Sequence, residues 1–146
     1  MRVPVLLGAA TAATLLTAQV AKATFVDSTS ATTTYHRVQV DGLGIFYREA
    51  GPKDAPTIVL LHGFPSSSRE FDTLISLLAT HYHLIAADFP GFGQSDAPPP
   101  STYTYTFDHL AKTIDDLLAL LKVNRYTLYL HDYGAPVGFR IILMHP

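Results

Sequence analysis

The chain has 146 residues, enough for one domain, and 48% of them are hydrophobic against 15% charged, which excludes a disordered or nucleic-acid-coating polymer. Ten basic and twelve acidic residues leave a net charge of -2, so nothing in the balance draws the chain to nucleic acid or to an anionic membrane, and a small molecule is the expected partner. The absence of cysteine excludes disulfides and thiolate metal sites.

Arg2 precedes an apolar stretch over 3–20 that is interrupted by Pro4, Gly8, Thr11, Thr14, Thr17 and Gln19 and followed by Ala21-Lys22-Ala23. The interruptions leave it short of the roughly 20 clean apolar residues of a spanning helix. The small residues around Lys22 make a cleavage site, so 1–23 reads as a signal peptide and the protein as secreted, with no stable membrane association once it is removed. Residues 24–34, mostly Ser, Thr and Ala, read as a linker.

From Tyr35 two alternating runs, 35–40 and 43–48, flank Asp41-Gly42, the signature of a hairpin. The unbroken apolar run 57–61 is expected to be a strand buried on both faces, where the sheet turns parallel. Ser67 with Glu70 three residues on predicts a capping box opening a helix that carries Phe71, Leu74, Ile75 and Leu78 on one face. A second buried strand follows over 84–87. After the proline-rich stretch Pro98-Pro99-Pro100, helical spacing of Phe107, Leu110, Ala111, Ile114, Leu117, Leu118 and Leu121 predicts a long helix ended by Asn124. A third buried strand is expected over 126–130 and a buried helix over 134–144. Alternating strands and helices give an α/β fold with right-handed crossovers.

In such folds ligands sit outside the carboxyl ends of the parallel strands. The three strands end in His62-Gly63-Phe64-Pro65, in Asp88-Phe89-Pro90-Gly91-Phe92-Gly93-Gln94-Ser95, and in His131-Asp132-Tyr133-Gly134. Each segment alone is no more than a strand-to-helix turn. Asp132 alone would be read as a helix N-cap. Together, in this order and spacing, they resemble the α/β-hydrolase fold family, and within it the epoxide hydrolases and haloalkane dehalogenases, from about Tyr35 to Pro146.

The resemblance implies a mostly parallel sheet with helices on both faces, no cofactor, and a small apolar or electrophilic substrate. It makes Asp132 the nucleophile, attacking through an ester intermediate, and makes the backbone N–H groups of Phe64 and Tyr133 the oxyanion hole. His62, Gly63, His131 and Gly134 are its supporting residues. A carboxylate at a helix N-terminus faces the positive end of the dipole and stays ionised. Ser95 in Gly93-Gln94-Ser95-Asp96-Ala97 nearly matches a serine elbow, but it lacks the immediately preceding strand and following helix that such an elbow requires.

Two departures from the family pattern stand out. No tryptophan is present, and Phe64 and Tyr133 occupy the positions where dehalogenases hold the departing halide, which brings the epoxide hydrolases nearer. Leu130 stands two residues before the nucleophile, where many members have a small residue. The family's cap, acid and late histidine have no counterpart up to Pro146, so the chain is expected to be truncated after the nucleophile helix, to leave the 126–130 strand as an uncovered edge, and to be inactive. A non-catalytic secreted fragment is the alternative, and His62, Asp88, His131 and Asp132 as metal ligands a third reading.

Overall fold

The computed structural model describes residues 32–146. The expected signal peptide and nearly all of the expected linker lie outside them. Thr34, assigned to the linker, belongs instead to the first strand.

Strands β1 (Thr34–Val40) and β2 (Leu43–Ala50) form an antiparallel hairpin. Asp41 and Gly42 both have positive φ, 49° and 81°, the backbone that a two-residue type I′ turn demands and that Asp-Gly accepts. β3 (Thr57–Leu61), β4 (His83–Ala87) and β5 (Tyr126–Leu130) complete a five-stranded sheet of order β1-β2-β4-β3-β5. β3 runs parallel to both β4 and β5, whereas β2 meets β4 antiparallel. The sheet is therefore mixed, and it turns parallel at β3.

Period-2 alternation divides the central strands between two cores. Leu60, Leu84 and Ala86 face Phe71, Ile75 and Ala79, on the side of helix α1 (Asp72–Leu78). Val59, Leu61, Ile85 and Ala87 face Leu110, Ile114, Leu117, Val137 and Ile141, on helices α2 (Phe107–Leu120) and α3 (Gly134–Met144). Helices thus cover both faces.

Four expectations need correction. Ser67 does cap, accepting from Arg69 N, but what it opens is a 3-10 turn, Ser68–Phe71, which leads into α1. Glu70 takes no part in a reciprocal box; its carboxylate is engaged elsewhere, as described below. Helix α2 ends before Asn124, because Lys122 takes a left-handed φ of 59°. Lys122 N then donates to Ala119 O at 3.0 Å and Val123 N to Leu118 O at 2.9 Å, a Schellman closure. A lysine at the left-handed position hides that stop from the sequence.

β5, expected to be left as an uncovered edge, is not the strand buried on both faces that its apolar run also suggests. It lies at the sheet edge among the described residues, paired only with β3 and with Tyr129 47% exposed. Helix α3, also expected to be buried, presents only Gly134, Val137, Gly138 and Ile141 to the core and leaves Phe139, Ile142 and Leu143 exposed, the last at 79%. A run that is apolar all round gives no sign of which face will be covered. Among the described residues no helix is long and apolar enough to cross a membrane.

Candidate active site

The three strand-end segments converge. Leaving β5, His131 N still donates to Leu61 O at 3.1 Å, after which Asp132 takes a φ of 45°. A left-handed residue with a Cβ costs on the order of 1–3 kcal/mol and persists only where its surroundings hold it. Here they do. Gly134 N donates to His131 O at 2.7 Å and Ala135 N to Asp132 O at 2.9 Å, closing the turn into α3.

The turn thrusts the Asp132 side chain outward, where Oδ1 accepts from Phe64 N at 2.8 Å. Helix α3 has no side-chain cap, so the N-cap role that the sequence left open is not the one Asp132 fills. The backbone N–H of Phe64, and after it that of Tyr133, hold the Asp132 carboxyl below its ordinary value. Of the two N–H groups named from the sequence, that of Phe64 meets the carboxylate at hydrogen-bond distance.

Close approach of the segments depends on two glycines. A Cβ at Gly63 would lie 2.8 Å from Asp132 Cβ, and one at Gly134 would lie 2.1 Å from Leu61 O. The bulk of Leu130 is accommodated at Gly138, where a Cβ would meet Leu130 Cδ2 at 2.2 Å.

Aromatic rings surround the carboxylate's neighbours. Tyr133 packs against Phe64 with ring centroids 5.3 Å apart, and edge to face with Phe107 at 5.0 Å and Phe92 at 6.4 Å. Phe92 and Phe107 were not singled out from the sequence as site residues. Phe92 sits in a motif valued for its glycines, and Phe107 reads as the first core position of a helix.

His62 is fully buried. Its Nε2 accepts from Phe89 N at 3.1 Å, so Nδ1 carries the proton and donates to Gly63 O at 2.9 Å. Burial pushes its pKa down. The ring is a neutral strut between two loops. Because the folded chain resists protonating it, the unfolded chain takes up the proton first as pH falls below about 6.5. Wild type should therefore lose stability on going from pH 7 to pH 5, and the loss should shrink in His62→Asn; urea midpoints across that range measure it. An identical slope in the two proteins would contradict the assignment.

Asp88 is buried too, at 1% exposure. Oδ1 accepts from Ser68 N at 2.7 Å and Oδ2 from Gln94 N at 2.8 Å. Ser95 Oγ donates to Asp88 O at 2.7 Å and accepts from Phe46 N at 2.9 Å. Ser95 is thus a loop tie, in keeping with its poor context for a nucleophile. His131, more exposed, places Nδ1 3.0 Å from Glu70 Oε1.

The four residues weighed as metal ligands do not form a cluster. Among the described residues no three His, Asp or Glu side chains are grouped so as to hold a metal ion, and those of His62 and Asp88 are committed to backbone groups. At the far end of α3, His145 Nε2 lies 2.8 Å from Asp115 Oδ1.

Most of the described chain is similar to known proteins. An uncharacterized hydrolase of Saccharomyces cerevisiae is 49% identical over 113 residues, 77% of this chain and 38% of its own length. A haloalkane dehalogenase of Psychrobacter cryohalolentis is 36% identical, covering 71% of this chain and 34% of its own, and mouse epoxide hydrolase 4 is 32% identical, covering 82% and 33%. The chain therefore spans about a third of the length of these relatives. Among solved structures, the haloalkane dehalogenase DbeA from Bradyrhizobium elkani superposes with a TM-score of 0.74 at 33% identity, over 79% of this chain and 38% of that one. The alpha/beta hydrolase fold family matches residues 56–146, a stretch that opens just before β3 and runs through all three strand-end loops to the end of α3. With that match and these relatives, the chain belongs to the α/β-hydrolase fold family.

Proposed function

We propose that this chain carries the nucleophile half of an α/β hydrolase, in which Asp132 attacks an apolar electrophile of the epoxide class to form an alkyl-enzyme ester. The observation that carries this reading is the Asp132 carboxylate on a left-handed turn with Oδ1 held by Phe64 N at 2.8 Å. A carboxylate needs no base before it attacks, unlike a serine hydroxyl. Oδ2 forms the new bond to a ring carbon, the carbon–oxygen bond of the epoxide breaks, and its electron pair goes to the ring oxygen, which takes a proton from water. Oδ1 is then the ester carbonyl oxygen, already beside the donor that would stabilise the oxyanion when water adds to Cγ.

Phe64 offers no side-chain donor to a departing halide, and its ring and that of Tyr133 form an apolar flank. This favours an epoxide over a haloalkane. Hydrolysis of the ester requires a base near Cγ. His62 has both ring nitrogens engaged, His131 is held on Glu70 and His145 is paired with Asp115, so none of the three supplies it. The 146-residue chain should form the ester without sustained turnover.

The test is to incubate the chain with an aryl epoxide such as styrene oxide and follow intact mass and diol release. One adduct per chain is expected, abolished by Asp132→Asn, with no accumulation of diol beyond one equivalent. Because the Asp132 carboxyl is held below its ordinary value of 3.8, the labelling rate should stay flat from pH 8 to pH 5 and fall only as pH drops through that depressed value, where the carboxylate takes up a proton. A rate that falls already at pH 6, or labelling that survives Asp132→Asn, would overturn the proposal.

A further inference from the structure

We infer that Glu70 is a positioning residue that braces the loop carrying the oxyanion donor against the turn carrying the proposed nucleophile; this rests on the reading of Asp132 above. A single oxygen, Glu70 Oε1, accepts from Gly63 N at 3.3 Å and lies 3.0 Å from His131 Nδ1. Gly63 immediately precedes Phe64, whose N–H meets Asp132 Oδ1, and His131 immediately precedes Asp132. The two segments are therefore tied twice, once directly through Phe64 and Asp132 and once, a residue earlier on each side, through Glu70. That Gly63 tolerates no Cβ toward Asp132 and His131 shows how closely the segments run.

The two ties differ in what the reaction does to them. The direct bond has an ionised acceptor in the resting state. Esterification converts that acceptor into a neutral carbonyl and weakens the bond, since charge-assisted hydrogen bonds are roughly twice as strong as neutral ones. The Glu70 brace contains no reacting atom, and esterification leaves it unchanged. It holds Phe64 N–H and the Asp132 turn in register both before attack and while the direct tie is weak, so loosening it misaligns the nucleophile as well as the donor. Glu70 sits in the turn before α1, where its sequence position suggested only a helix cap. Its side chain serves the site instead.

The experiment uses the full chain and its Glu70→Ala, Glu70→Gln and His131→Phe variants, with two readouts. The first is the rate of Asp132 labelling by styrene oxide, and the second is hydrogen exchange at the Phe64 amide with urea midpoints as the control for folding. Losing the acceptor should slow labelling about tenfold and speed Phe64 exchange by a similar factor, on the scale of one hydrogen bond to a charged group. Glu70→Gln, which keeps a carbonyl oxygen, should recover part of both. The double variant Glu70→Ala/His131→Phe should be no worse than the sum of its parts and close to the poorer single one. If Glu70→Ala is too unstable to measure, Glu70→Gln and His131→Phe carry the test.

Unchanged Phe64 exchange and unchanged labelling in variants of normal stability would overturn the inference. Changed exchange in a chain that never labels would leave the brace standing and sink the reading of Asp132. Labelling that is independent of Asp132 would do the same, with Phe64 exchange alone then deciding for or against the brace.

Discussion

Asp88→Ala should destabilise the chain by about 3–6 kcal/mol, the sum of two hydrogen bonds to a charged acceptor at about 1.5–3 kcal/mol each. The carboxylate joins the start of the Ser68–Phe71 turn to the loop after β4, through Ser68 N and Gln94 N. Ser68 is itself buried, so water cannot replace the lost acceptor there. A domain of this size has a total stability of roughly 5–15 kcal/mol, so the loss should be visible as a large drop in the urea midpoint. Asp88→Asn presents an NH2 group to one of the two N–H donors and should retain no more than about half of the stability lost in the alanine variant. The same loop carries Phe92, which packs on His62 and Tyr133, so the variant should also loosen the aromatic flank of the site. An alanine variant with the wild-type midpoint would show that the carboxylate is dispensable.

Gly134→Ala tests the elbow through two effects of opposite sign. Helix propensity alone would make alanine better by about 0.8–1 kcal/mol. Against it stands a Cβ only 2.1 Å from Leu61 O and 2.7 Å from Leu61 C, both backbone atoms of a central strand hydrogen-bonded on either side, which cannot move aside. Overpacking against backbone falls at the upper end of about 1–3 kcal/mol, so the steric effect should win by about 2 kcal/mol. Gly138→Ala is the contrast, because the three atoms nearest its new Cβ, Cδ2 at 2.2 Å with Cδ1 and Cγ beyond, all belong to the Leu130 side chain, which can rotate. It should come out within about 1 kcal/mol of wild type. Equal midpoints for the two variants would contradict the account of how α3 approaches the sheet.

Much of this was legible in the sequence because local signals and global fold agree. Asp41-Gly42 sets the hairpin, unbroken apolar runs set β3 and β4, and the three strand-end segments lie at the carboxyl ends of neighbouring strands, so a parallel arrangement alone brings them together. The failures share a physical cause. Burial of β5 and α3 depends on what lies beside them, and a residue's own apolarity carries no record of its neighbours. Glu70 was misassigned because Ser-x-x-Glu satisfies a local rule, while the groups it actually meets, Gly63 N and His131 Nδ1, lie 7 and 61 residues away in sequence. The stop of α2 at Lys122 was missed because a lysine rarely takes a left-handed φ, and tertiary context overrode the preference.

The central claim is that the Asp132 carboxylate, held by Phe64 N–H and set on a left-handed turn, acts as a nucleophile. The measurement that reaches it most directly is to digest the styrene-oxide-treated chain, locate the adduct by tandem mass spectrometry, and treat a parallel sample with hydroxylamine. The account predicts an adduct confined to Asp132 that hydroxylamine removes, as it removes an ester. An adduct on His131 or any other side chain, or one on Asp132's peptide that resists hydroxylamine, would contradict it.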